Sequence, residues 1–204
     1  MATAGVSERR KGLLATMMKE VIYEAAVAVL TEHGLSGVTM DRVAEKAGVA
    51  KGSLYNYFPN KQALLEFVHD RTIEPMMHAS AEIVVSDLPA IEKLQADFRL
   101  WFESIEQQRG LFTLLFMDYG IRELLKTVEE TGRVYAVGQM AQVIRQGIEE
   151  GVFREVNAEK VANFLFGIAR ETCERQLATD ADWPINQLVD EVIDFVLHGL
   201  AVAE

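Results

Sequence analysis

One cysteine, four prolines and no long apolar run mark this chain of 204 residues. The lone cysteine, Cys173, excludes an intramolecular disulfide framework. A transmembrane span needs about 20 near-continuous apolar residues, and no such stretch occurs. Met1 to Lys11 has no apolar h-region, so no secretory signal and a cytoplasmic location are expected. No linker rich in serine, glycine or proline divides the chain, and no internal repeat is visible. What is present is a hydrophobic half and a charged quarter. That composition excludes a disordered chain and leaves a soluble globular protein of one or two domains.

The formal charge of −11 argues at first against nucleic acid, because phosphate binding needs a basic surface. The charge is unevenly spread. Residues 1–61 carry a balance of +2 and residues 62–204 a balance of −13. The asymmetry predicts two parts with different partners: a head over 1–60 and an acidic body over 61–204.

Helical periodicity dominates. Leu14, Met17, Met18, Val21, Ile22, Ala25, Val29 and Leu30 follow a 3.6-residue period, which predicts a helix from about 13 to 33, stopped by Gly34. Two short helices follow, one capped by Thr39 and broken at Gly48, the other over 51–57 and ended before Pro59. Asn60 is placed to cap the next. Longer helices are predicted at about 61–85, 89–108, 111–117, 120–151, 157–178 and 185–201. No segment alternates with period two, so the fold class is all-α: three N-terminal helices, then a larger helical domain. Around Phe164, Phe166 and Ile168 the chain is apolar on nearly every side, which requires either deep core or a subunit interface.

The informative stretch is Thr39 to Lys61. Two short helices joined by a glycine-containing turn meet the requirement of a helix-turn-helix. Val43, Ala47, Val49, Leu54 and Phe58 supply a small shared core. Lys51, Ser53, Tyr55, Asn56 and Tyr57 supply a polar face, and Gly52 lets the backbone approach a phosphate or base edge. An ordinary solvated hairpin has no need of two tyrosines beside Lys51, Asn56 and Lys61.

Glu32 to Thr39, then Val43-Ala44, then Lys51 to Lys61 resemble the TetR family of bacterial transcriptional regulators. The resemblance is specific from about Leu14 to Leu65. Gly147 to Arg154 is also similar to the turn before that family's last two helices. The resemblance implies an all-α homodimer with a DNA-binding head and a body that binds a small effector and dimerises through its last two helices. It places Thr39, Lys51, Tyr57 and Lys61 at phosphates, and Ser53, Tyr55 and Asn56 on the recognition helix, with Arg42 and Gly52 beside them. Phe164, Phe166, Ile168, Val189, Val192 and Val196 then fall at the dimer interface. Ala50 departs from the family, many of whose members have a capping serine or threonine there.

The implied function is a repressor that binds a palindromic operator and is released by an effector. Two recognition helices would enter successive major grooves about 34–36 Å apart. Phosphate contacts set the register, and Asn56 can read adenine. Arg9, Arg10 and Lys11 read equally as a DNA-contacting arm before the first helix or as a solvated terminus. An activator, a DNA-binding protein governed by a protein partner, and a helical enzyme remain as other readings.

The effector site is less legible. Phe98, Trp101, Phe102, Phe112, Phe116 and Tyr119 suit a pocket for a small, largely apolar molecule, with Arg99, Arg122, Asn163 and Arg170 as polar anchors. The same residues also suit plain core packing and surface pairing. Pro75 marks either a kink or a helix end. His33, His69, His78 and His198 are scattered, so no metal, cofactor or catalytic set is expected.

Overall fold

A computed structural model of the chain describes residues 2–179 and 184–200. Among them nine helices occur and no strand: α1 (Ala2–Gly37), α2 (Met40–Lys46), α3 (Lys51–Tyr57), α4 (Lys61–Val85), α5 (Ala90–Gln107), α6 (Arg109–Met117), α7 (Tyr119–Glu149), α8 (Ala158–Ala178) and α9 (Ile185–Leu200). The predicted end of the last helix, Ala201, lies outside the described residues.

The sequence-based expectation is corrected at α1. The helix starts at Ala2, so Arg9, Arg10 and Lys11 lie inside it and not in an arm before it. Ala, Ser, Glu, Arg and Lys all accommodate a helix, no proline intervenes, and Gly5 and Gly12 cost only about 1 kcal/mol each. Gly34 does break the helix: its φ is 63°, and a last turn to Gly37 follows. Pro75 proves to lie within α4, which runs ten residues further, so it is not a helix end. It contributes no N–H to the helix ladder.

The residues form two compact units, Met1–Thr72 with Asp118–Leu125, and Ile73–Met117 with Lys126–Glu204. In the first unit, Ile22, Ala26, Val29 and Leu30 line one face of α1, and α2 packs against that helix. Val43, Leu54, Leu64 and Val68 are fully buried with them, as are Ile121 and Leu125. Each buried aliphatic side chain contributes about 1.5–3 kcal/mol.

In the second unit, α5 turns Leu94, Phe98, Phe102 and Ile105 inward at helical spacing. It packs on α9, whose Leu188, Val189, Val192, Ile193 and Val196 are buried, while α6 packs on α8. Lys93, 3% exposed, donates to the Val84 carbonyl and to Gln146 Oε1, each at 2.7 Å. Its charged end is thereby hydrogen-bonded, as a buried ammonium requires. On α8, Phe164 remains 67% exposed and Phe166 and Ile168 half-buried, so the chain does not cover this segment by itself.

Candidate nucleic-acid interface

The helix-turn-helix is assembled by local side-chain and backbone bonds. Thr39 Oγ1 accepts the Arg42 N–H at 3.2 Å and starts α2. Gly48 adopts φ 68° in the turn, and the Val49 N–H closes it on the Ala44 carbonyl at 3.0 Å. Glycine suits this position because a Cβ is strained at positive φ. α3 begins at Ala50 without a side-chain cap, as the alanine dictates. Phe58 ends α3 and packs against Phe67, ring centroids 5.0 Å apart. Asn60 Oδ1 then accepts the Ala63 N–H at 2.8 Å and starts α4.

Spacing of three and four residues sorts the faces of α3. Leu54 and Phe58 are buried. Lys51 with Tyr55, and Gly52 with Asn56, form the exposed face, flanked by half-buried Ser53 and Tyr57. The expected recognition residues therefore share one accessible side of one helix, with side-chain donors and acceptors suited to base edges.

The cations of this unit are more occupied than their sequence suggests. Lys51 Nζ lies 2.6 Å from Asp41 Oδ1, and Asp41's hydrogen bond and charge hold the amine above its ordinary range. Lys46 pairs with Glu32 at 2.8 Å. Arg42 Nη1 donates to the Gly37 carbonyl at 2.8 Å, and Lys61 Nζ to the Leu35 carbonyl at 2.5 Å. Burial pulls the Lys61 amine below its usual value, partly offset by the charge of Asp118. Thr39 and Arg42 are exposed and Lys61 half-buried. Arg9 and Arg10 are exposed along α1.

The residues expected in an effector pocket are distributed differently. Phe98, Phe102 and Phe112 are packed into the core of the second unit, with half-buried Trp101 and Phe116 against them. Asn163 accepts from Arg133 at 2.7 Å, and Arg170 pairs with Glu174 at 2.8 Å and Glu129 at 3.4 Å. Tyr119, 81% exposed, and Arg122 fall in the first unit. Two features escaped sequence reading. Ser80 donates to Asp97 Oδ1 at 2.6 Å between α4 and α5, and burial raises that carboxyl's pKa despite the hydrogen bond. An open groove of about 630 Å³ runs along α5, lined by residues that include Leu88, Ala96, Arg99 and Leu100.

Val189, Val192 and Val196, expected at the dimer interface, are buried within their own chain. Phe195, between them in sequence, is 64% exposed. Among the described residues, no group of three or more His, Cys, Asp or Glu is arranged to hold a metal, and no helix is long and apolar enough to cross a membrane.

Residues 22–68 match the profile of "Bacterial regulatory proteins, tetR family". The fatty acid metabolism regulator protein of Bacillus subtilis is 24% identical over 88% of this chain and 93% of its own. The HTH-type transcriptional repressor KstR2 of Mycobacterium tuberculosis is 28% identical over 71% of this chain and 74% of its own. Among solved structures, FadR from Bacillus subtilis in complex with stearoyl-CoA has the same fold, with a TM-score of 0.75 at 21% identity, covering 88% of this chain and 98% of that one.

Proposed function

Because the chain belongs to the TetR family of bacterial transcriptional regulators, we propose that it is a repressor that grips a palindromic operator as a homodimer and releases it when an effector binds the second unit. The observation that carries the DNA reading is the α3 face on which Lys51, Ser53, Tyr55, Asn56 and Tyr57 stand accessible around buried Leu54. Base-edge contacts are assigned to Ser53, Tyr55 and Asn56, and phosphate contacts to Thr39, Lys51, Tyr57 and Lys61.

Dimerisation is assigned to α8 and α9. Phe164 and Phe195 are large apolar side chains left in water, which suits a surface awaiting a partner. Val134 on α7 is also exposed, and the Arg133–Asn163 bond brings that stretch of α7 beside Phe164's turn of α8. Val189, Val192 and Val196 support this interface from beneath by fixing α9.

The effector is assigned to an apolar class, and within it to long-chain acyl compounds. The aromatic side chains of α5 and α6 offer such a chain an apolar environment, and the relatives named for fatty acid metabolism and for bound stearoyl-CoA favour this choice. The test is footprinting on the DNA upstream of the protein's own gene, with and without free fatty acids, acyl-CoA thioesters and unrelated hydrophobic compounds. A protected palindrome released by an acyl compound is expected. Protection that no acyl compound relieves would overturn the effector assignment, and the absence of protection would overturn self-repression.

A further inference from the structure

The unit that carries the helix-turn-helix is discontinuous in sequence, because Asp118–Leu125 folds with Met1–Thr72. Asp118 Oδ1 accepts the Ile121 N–H at 3.0 Å and so starts α7, and Ile121 and Leu125 are fully buried. Gly120 lies in that first turn. A methyl group at position 120 would stand 2.7 Å from Leu35 Cδ2 and 3.3 Å from Asp118 Oδ1. Ordinary carbon–carbon contact is about 3.5–4.0 Å, so a methyl at position 120 would push the Leu35 side chain out of its present place.

Leu35 also carries polar traffic. Its carbonyl accepts Lys61 Nζ, and the carbonyl of Gly37, two residues on, accepts Arg42 Nη1. Thr39, two residues further, caps α2. Two cations assigned to the DNA interface thus hang on the backbone of one short turn, and that turn is backed by Gly120.

We propose that Leu35 and Gly120 are positioning residues for DNA binding: their contact fixes the Leu35–Gly37 turn, whose carbonyls orient Lys61 and Arg42 toward phosphates. Neither residue touches DNA. The inference rests on the DNA-binding reading above. α6 ends at Met117, immediately before this segment, and α7 continues unbroken from it to Glu149 in the second unit. The seat of the turn is therefore covalently continuous, on both sides, with the unit assigned to the effector.

The test compares Gly120→Ala, Gly120→Ala with Leu35→Ala, and Gly138→Ala, the last on the same helix with open space around a new methyl. The probes are a duplex from upstream of the protein's own gene and a random-sequence duplex, titrated across salt concentrations. Gly120→Ala is expected to weaken both duplexes alike, by about tenfold, and to lower the slope of log K against log salt by about 1–2, the signature of lost phosphate contacts. Leu35→Ala in the same chain should restore affinity and slope, because the new methyl fills the vacated space. Gly138→Ala should behave as wild type. An unchanged slope in Gly120→Ala, or a loss that Leu35→Ala does not rescue, overturns the proposal. If Gly120→Ala does not fold, Leu35→Ala alone replaces it; a reduced slope supports the proposal and an unchanged one overturns it. A wild-type chain that binds neither duplex overturns the DNA-binding reading itself, and this inference with it.

Discussion

Lys51 at the start of α3 and Asp41 in the first turn of α2 form an ion pair of 2.6 Å across the helix-turn-helix. The first cation of the recognition helix is thus held by a carboxylate of the same unit. On the proposed assignment of Lys51 to a phosphate, DNA competes with Asp41 for it. Asp41→Asn should raise affinity for every duplex and steepen the salt dependence by up to about one counterion, while Lys51→Ala should flatten it. Titration over a range of salt concentrations checks both. Identical slopes in the two variants would remove Lys51 from the phosphate contacts.

Asn56 should behave otherwise. It is exposed on α3 and has both a donor and an acceptor. Asn56→Ala should change the preferred base at one position of each half-site, by about 1–3 kcal/mol of discrimination, with little effect on random DNA. Selection from a randomised operator library measures this. A consensus identical to that of wild type would exclude Asn56 from base readout.

The last two helices separate interface from core. Phe164→Glu with Phe195→Glu places charge where the chain leaves apolar surface exposed, and should yield folded monomers by light scattering. Val196→Glu puts charge at a 2% exposed site and should destabilise the fold by several kcal/mol. A Phe164→Glu, Phe195→Glu protein that stays dimeric would move the interface elsewhere.

Asp97 sets a pH dependence. Burial raises its carboxyl pKa, and the Ser80 hydroxyl only partly offsets this. Between the unfolded and the folded pKa, the folded chain binds more protons than the unfolded one, so stability falls as pH rises through that interval. Asp97→Asn keeps an acceptor for Ser80 and removes the buried charge. Its melting midpoint should exceed that of wild type at pH 7, with the gap closing as pH falls into the acid range. A constant gap at all pH values would show that Asp97's ionisation is not responsible.

What the sequence disclosed, and what it did not, follows from the range of each interaction. Thr39 and Asn60 were legible as caps because each bonds a backbone N–H three residues away. Gly34 and Gly48 were legible as breaks because the strain at positive φ is local. The basic run at Arg9 to Lys11 misled, because nothing in it either stops or requires a helix. On α9 the apolar stripe was evident, but periodicity does not say what covers a stripe; Val189, Val192 and Val196 face their own chain while Phe195 does not. Arg42 and Lys61 showed their charge, but not the carbonyls of Gly37 and Leu35 that hold them, 5 and 26 residues away. The Ser80–Asp97 pair joins two helices and has no signature in either alone.

The interleaved chain path has a consequence for synthesis. Ile121 and Leu125 complete the core of the unit that carries the helix-turn-helix, so that core stays open until the ribosome has passed residue 125 and released it. A truncated translation product ending near Thr72 would contain every residue assigned to the operator and still lack part of the interior that shapes them. The same holds for a recombinant fragment: the head should be expressed with α7's first turns supplied, by linkage or as a peptide.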